Sequence, residues 1–390
     1  MREPSSAGRV PLHVLTIAPF YPRAGDESFG CFVAEPLAEL TKLGIRATVF
    51  AVVAFYRPKP ASSESAPDAT WYQYPSLPGG LGLASAGWGL YLRLRGPLAN
   101  LHAQTPVDVI HAHAALPCGH AARLLSRHFK IPYVVTVHGR DAFSSVQVAG
   151  WPGDWCAEAS RWVYGGARRV LGVSRAVCDE IEKGTGGNCA VSVVYNGADP
   201  SLFRPAADPV RPALLTVGNL IPTKGHELIV QALAALQPEF PELTWEVIGD
   251  GPELTRLRQL AEKLGVLTRI RFQGRQGRKE VAEAYRRCSV FVLPSRYEGL
   301  GCVYLEAMAS GRVAVGCRGQ GIAEVIRHGE NGWLVPAEDL PELIEALRRL
   351  LRDDALRKKI GAAARDTILQ SFTLGHQAQR LLAIYQEIKA

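Results

Sequence analysis

No run of this sequence approaches the ~20 consecutive apolar residues that a helix needs to cross a bilayer. A helical membrane span is therefore not expected. The polar start, Met1 to Arg9, has none of the apolar core of a secretory leader. The eight cysteines, at 31, 118, 156, 178, 189, 288, 302 and 317, form no C-x-x-C pair. Most lie in apolar surroundings, as small core residues do. Together these absences predict a reduced, cytoplasmic protein without structural zinc. There is no G-x4-G-K-[ST] loop for a triphosphate. One G-x-G follows an apolar strand, Gly249-Asp250-Gly251, but its third glycine is missing. About twenty residues further on, where an acid would hold a ribose, the chain reads Arg269-Ile270-Arg271. A dinucleotide-binding fingerprint is thereby excluded. The 44 lysines and arginines are scattered rather than clustered, which argues against a nucleic-acid binder.

What remains is the composition of a globular protein, 47% hydrophobic and 21% charged. At 390 residues the chain is too long for one ordinary core and suits two domains. Its 38 glycines and 26 prolines supply the many tight turns that repeated βα units require. The net charge of +7 favours anions, among them nucleotide-sugars, anionic lipid surfaces and nucleic acid.

Apolar strands alternate with helical patterns along the chain, the signature of α/β folds with parallel sheets. Strands are expected at 13–18, 48–53, 107–113, 132–137, 169–174 and from 191, then at 213–218, 245–248, 270–274, 289–293, 313–315 and 332–335. A helix is expected from about Cys31 to Leu43, and Gly30 stands just before it, where a backbone amide meets a ligand or an ordinary turn closes. Residues 322–326 read as a helix, as do 339–352, 354–369 and 374–388. Residues 58–89 break the pattern and read as a long loop with aromatic weight. The segment from Trp88 to Arg95 is basic and apolar; it reads either as a packed helix or as a contact for a membrane or lipid-linked acceptor. The proline-bearing stretch 205–212 reads as a linker.

The chain is organised around Pro294-Ser295-Arg296-Tyr297-Glu298-Gly299-Leu300-Gly301-Cys302-Val303-Tyr304-Leu305-Glu306-Ala307-Met308-Ala309-Ser310-Gly311. A buried strand precedes it, glycines open the turn, and a helix from Val303 to Ser310 is expected to follow. Free amides at such a helix start favour a phosphate. Carboxylates beside an anion are unfavourable unless they hold something else. An ionised carboxylate accepts from two hydroxyls at once, so sugar and ribose hydroxyls are the natural ligands of Glu298 and Glu306. Lys224, in the turn before another helix, is placed to neutralise a diphosphate. His138 follows a strand at its carboxyl end, where chemistry gathers in open α/β sheets. His111 and His113 read as structural.

This run resembles the Glu-x7-Glu signature of retaining glycosyltransferases, in particular glycosyltransferase family 4. His138-Gly139-x-Asp141, Asn196-Gly197-x-Asp199 and Asn219-Leu220-x3-Lys224-Gly225 resemble other motifs of the same family. The resemblance covers nearly the whole chain and least the 58–89 stretch. It implies the GT-B fold: two doubly wound Rossmann-like domains facing a cleft. Residues 1–205 would form the acceptor-side domain, with a last helix at about 372–390 packing back onto it, and 206–371 the donor domain. It further implies that His138 contacts the transferred sugar, that Glu306 holds the ribose, and that the Gly274-Arg275 turn lies against the base. Lys224 and the amides of Leu300, Gly301 and Cys302 would steady the diphosphate, and Glu298 would grip the sugar. Asn219 stands where many members carry arginine, so one positive charge is missing there.

The implied activity is metal-independent, retaining transfer of a hexose-type sugar from a nucleoside-diphosphate sugar, as co-substrate and with no cofactor, to a glycan, lipid-linked or small-molecule acceptor. Bacterial polysaccharide or glycoconjugate synthesis is the setting. Two alternatives stand beside it: a nucleotide-sugar epimerase or hydrolase of similar plan, and a basic lipid- or nucleic-acid-binding protein.

Overall fold

The structure, a computed structural model, describes residues 11–61, 68–77, 80–143, 148, 150–207, 209 and 212–389. The polar start, residues 62–67 and 78–79 of the 58–89 stretch, and residues 208, 210 and 211 of the linker lie outside them.

The first seven strands form one sheet: β1 (His13–Ala18), β2 (Arg46–Ala54), β3 (Ala69–Tyr74), β4 (Val109–His113), β5 (Tyr133–Val137), β6 (Arg169–Gly172) and β7 (Val191–Val193), in the order β3-β2-β1-β4-β5-β6-β7. The next six form another: β8 (Ala213–Val217), β9 (Thr244–Ile248), β10 (Ile270–Gly274), β11 (Val290–Val292), β12 (Val313–Cys317) and β13 (Trp333–Val335), in the order β10-β9-β8-β11-β12-β13. All pairings between these strands are parallel. Central strands such as β1, β4 and β5 are buried along their whole length. That is why they read as unbroken apolar runs: helices cover both faces of a parallel sheet.

Helices α1 (Cys31–Lys42), α2 (Gly80–Gln104), α3 (His120–Phe129), α4 (Trp151–Tyr164) and α5 (Arg175–Thr185) serve the first sheet. Helices α6 (His226–Leu236), α7 (Leu254–Lys263), α8 (Arg278–Arg287), α9 (Cys302–Ala309), α10 (Leu340–Arg352) and α11 (Asp354–Ser371) serve the second. The last, α12 (Leu374–Lys389), returns to α1. Ala378, Leu381 and Tyr385 share a core with Val33, Leu37 and Leu40. The return is fixed by polar bonds as well, since Gln377 accepts from the Gly197 amide at 2.9 Å.

Two sequence expectations change. The 58–89 stretch is not a loop throughout. Ala69 to Tyr74, rich in aromatic residues, pairs with β2 as the edge strand β3, and the 25-residue α2 begins at Gly80. Glycines in α2 hid that helix from a propensity reading, yet they are what lets it pack closely: a Cβ at Gly87 would stand 2.2 Å from the His120 ring. The helix expected at 322–326 is a single turn, Gly321–Glu324. Asn331 takes over the bonds that a longer helix would have used, accepting from the Arg327 amide at 2.6 Å and donating to the Val325 carbonyl at 3.1 Å.

In each sheet the strand order reverses once, between β1 and β4 and between β8 and β11. Loops leaving the carboxyl ends of the strands at such a switch point diverge and open a crevice. The loops after β1, β8 and β11 here face one another across the gap between the sheets. If α12 is an integral part of the first domain, Leu381→Ala should lower unfolding free energy by ~2–4 kcal/mol. Denaturant titration measures this, and an unchanged midpoint would make α12 a loose appendage.

Candidate active site

Helix α9 starts where the strand β11 ends, after the turn 293–301. Gly301 takes φ 80° as its N-cap, and Gly30 takes φ 72° at the start of α1. Side-chain-bearing residues rarely adopt that conformation, and here it turns each chain sharply into its helix. Neither start has a side-chain cap; at α1 the Cys31, Val33 and Ala34 amides bond nearby carbonyls, whereas at α9 the Leu300, Gly301 and Cys302 amides bond none among the described residues and remain free for a ligand. The far end of α9 closes properly: the Gly311 amide bonds the Met308 carbonyl and the Arg312 amide the Ala307 carbonyl, the paired bonds of a Schellman motif.

The crevice between the sheets holds a cavity of about 420 Å³. Gly30, His138, Asn219, Lys224, Arg275, Glu298, Leu300, Gly301, Cys302 and Glu306 line it. Gly274 does not line it; its carbonyl instead accepts from the Gly249 amide at 2.8 Å. The cavity thus gathers all but one of the residues singled out from sequence.

Two ion pairs border the α9 N-terminus. Lys224 Nζ meets Glu298 Oε2 at 2.5 Å, with both side chains largely buried. Arg278 Nη1 meets Glu306 Oε1 at 2.6 Å, and Tyr285 donates to the other Glu306 oxygen at 3.2 Å. Arg278 also holds Glu35 of α1, with its Nε at 2.7 Å and Nη2 at 3.1 Å from the two carboxylate oxygens. One guanidinium is therefore shared by a carboxylate from each domain. Burial opposes the charge on Arg278, but Glu306 and Glu35 outweigh it and hold its pKa well above the ordinary value. Burial, with the Glu306 charge close by, raises that of Glu35. Arg275 reaches Asp26 of the first domain at 3.5 Å and the Asn219 side chain at 3.4 Å. The guanidinium of Arg275 thus stands beside the position that lacks the expected arginine.

On the other wall, His138 packs against Phe32, ring centroids 4.7 Å apart. Its Nε2 lies 3.0 Å from His113 Nδ1. His111 stacks on His113 at 4.4 Å and is held by Tyr385 of α12 at 2.6 Å and Thr136 at 2.7 Å. His113 and His111, read from sequence as structural, thus form a file behind His138. The Nδ1 of His138 is buried and has no partner among the described residues. Burial pushes the His138 imidazole down to about 4 and that of His111 to about 3. A neutral ring at this place gives or takes one hydrogen bond without adding charge. Asp141 accepts from the His138 amide at 2.9 Å, and burial raises its carboxyl to about 6.

Sequence reasoning missed Arg278, Glu35 and Tyr285. Arg278 carries a signal in retrospect: it opens a helix directly after the Gly274–Gly277 turn. Glu35 carries none, since the apolar spacing of α1 leaves it on an apparently solvated face. Also missed was Glu324 of the second domain. It accepts from the Arg175 and Ala176 amides at 2.7 and 2.8 Å, at the start of α5, where the helix dipole favours an acid. Tyr195 donates to it at 2.9 Å. All eight cysteines are free. Among the described residues no group of three or more His, Cys, Asp or Glu is placed to hold a metal ion.

The histidines predict an acid-sensitive fold. His111, His113, His138 and His226 all have native pKa values below the ordinary 6.5, through burial. Between 6.5 and about 4 the unfolded chain binds the protons that the native chain refuses. Stability is then fully present above 6.5 and is lost as pH falls, by up to ~1.4 kcal/mol per pH unit for each histidine. Asp141, between 3.8 and about 6, opposes this, as do Glu35 and Glu180, whose carboxyls burial also raises. Urea midpoints should therefore drop between pH 7 and pH 5; a flat or rising profile would refute the buried neutral file.

Comparison with known proteins agrees with this geometry. The model described as Glycosyltransferase Family 4 matches residues 32–202, and that described as Glycosyl transferases group 1 matches residues 201–367. A D-inositol 3-phosphate glycosyltransferase of Corynebacterium jeikeium is 30% identical over 72% of this chain and 72% of its own length. An N-acetyl-alpha-D-glucosaminyl L-malate synthase of Bacillus anthracis is 28% identical over 76% of this chain and 78% of its own. Among solved structures, sucrose-phosphate synthase from Thermosynechococcus elongatus superposes with a TM-score of 0.78 at 19% identity, covering 97% of this chain and 99% of the other. Anabaena HepE, solved with UDP and glucose, superposes with a TM-score of 0.77 at 19% identity over 95% and 99% of the two chains. Two Rossmann-like domains of the GT-B kind, a cavity at their paired switch points and these matches lead to one conclusion: the chain belongs to the group 1 glycosyltransferases of family 4.

Proposed function

We propose that this glycosyltransferase moves a hexose-type sugar from a nucleoside-diphosphate sugar to a glycan, lipid-linked or small-molecule acceptor, with retention of anomeric configuration and without a divalent metal. The observation that carries the reading is the pair of ion pairs at the α9 N-terminus, Lys224–Glu298 and Arg278–Glu306. The HepE structures that hold UDP with glucose and UDP-glucose support a nucleotide-sugar as donor.

Charge develops on the leaving diphosphate as its bond to the anomeric carbon breaks. Lys224 and the amides of Leu300, Gly301 and Cys302 stabilise that charge, at ~3–4 kcal/mol for a well-placed donor. Arg275, reaching over Asn219, restores the cation missing from that position. Glu306, already fixed by Arg278 and Tyr285, takes the ribose hydroxyls. Glu298 turns from Lys224 to hydroxyls of the transferred sugar, and neutral His138 meets the same sugar with its free Nδ1. Contacts between the domains exclude water and so protect the donor from hydrolysis. Once Glu298 turns to the sugar, Lys224 is free to meet the diphosphate, and with Arg275 and the α9 amides it would take the part a metal plays elsewhere.

Lys224→Ala should lower kcat by ~10²–10³-fold; near-normal turnover would remove its leaving-group role. Glu306→Ala should raise the donor KM strongly, and unchanged donor binding would contradict the ribose assignment. Turnover should survive EDTA; its abolition, with recovery on adding back a divalent ion, would overturn the metal-free reading.

A further inference from the structure

Of the three imidazoles that stand in file across β4 and β5, only the foremost, His138, borders the large cavity. The rear ring, His111, is immobilised at both nitrogens. The Tyr385 hydroxyl of α12 lies 2.6 Å from its Nδ1 and the Thr136 hydroxyl 2.7 Å from its Nε2. His113 stacks on it, with ring centroids 4.4 Å apart. His113 and His138 then meet edge to edge, their centroids 5.3 Å apart and their planes 13° from parallel. His113 Nδ1 and His138 Nε2 are 3.0 Å apart. In that arrangement the lone pair of one nitrogen lies along the N–H of the other.

Burial keeps both rings neutral, so one proton lies between them. It can belong to either ring, and the two choices differ at the far nitrogens. If His113 donated, the proton of His138 would sit on Nδ1, which is buried without a partner among the described residues. A buried N–H with no acceptor is the costlier kind of orphan. If His138 donates, its Nδ1 is bare and His113 carries its proton on Nε2. That atom is not sealed in the same way. His113 also borders a second, small cavity of about 20 Å³, with room for one water molecule.

We infer that His113 is a positioning residue: it accepts from Nε2 of His138 and so holds that ring in the tautomer whose Nδ1 is a bare acceptor. A bare nitrogen takes a hydrogen bond from a hydroxyl and gives none to an ether or carbonyl oxygen. The group of the transferred sugar that meets His138 is therefore a hydroxyl acting as donor. The file that sets this choice starts on α12, so the last helix of the chain reaches the active-site ring through Tyr385, His111 and His113. The sugar contact rests on the transferase reading, whereas the tautomer is read in the free protein, so the two fail separately.

The test is a long-range nitrogen–proton correlation spectrum of the full chain with nitrogen-15 histidine, near neutral pH, with His138→Gln to identify the His138 signals. Nε2 of His138 should read as protonated and Nδ1 as bare. His113→Phe keeps a stacked ring but removes the acceptor; the His138 signals should shift toward the other tautomer, and kcat/KM should fall about tenfold. His113→Asn, whose amide oxygen stands in for the lost nitrogen, should keep the tautomer and hold kcat/KM within about threefold of the unaltered protein. Three results would overturn the inference: a proton on Nδ1 of His138 in the unaltered protein, His138 signals indifferent to His113→Phe, or equal loss of activity in the Phe and Asn variants. The spectrum of the unaltered protein decides the tautomer even where a variant fails to fold.

Discussion

Lys224 and Glu298 hold each other at 2.5 Å where the loops of two switch points meet. A buried ion pair is weak evidence for stability, because desolvating both charges offsets most of their attraction. Its value here is positional. The pair keeps a cation and a carboxylate side by side at the cavity wall, where the proposed reading sets the diphosphate and the sugar. The free amides of α9 complete the arrangement, and they exist only because Gly301 turns the chain into the helix without a capping side chain. Preorganised charge of this kind is usually the largest single contribution to catalysis.

The second pair extends the site across the gap. Arg278 binds Glu306 on its own domain and Glu35 on the other, so whatever displaces Glu306 also changes what holds Glu35. Glu324 on the start of α5 and Asp26 on Arg275 add two further polar links between the domains. If Glu306 binds the donor as proposed, ligand binding and domain orientation share the same side chains.

Much of this was legible in the sequence because it is local. Buried strands, the glycines around α9 and the two glutamates eight positions apart can be read from a short window. The edge strand β3 was not, since its six pairing residues sit inside a stretch dominated by proline, glycine and serine. The pairing of Lys224 with Glu298 was not, because 74 positions separate them. Glu35 and Arg278 lie 243 positions apart, and neither has a motif of its own. His113 looked like core, and it is core; what makes it matter is His138 at 3.0 Å, which only the register of β4 against β5 brings about. The missing arginine at 219 showed the converse: its neighbour Arg275 comes from a different strand, so the sequence displayed the loss without the compensation.

The most direct test is a crystal structure of the protein with a nucleoside-diphosphate sugar bound. The diphosphate should lie within about 3 Å of Lys224 Nζ and of the α9 amides, with Glu306 turned to the ribose and Glu298 to the sugar. A nucleotide seated elsewhere, or one that leaves the Lys224–Glu298 and Arg278–Glu306 pairs untouched and out of its reach, would contradict the account.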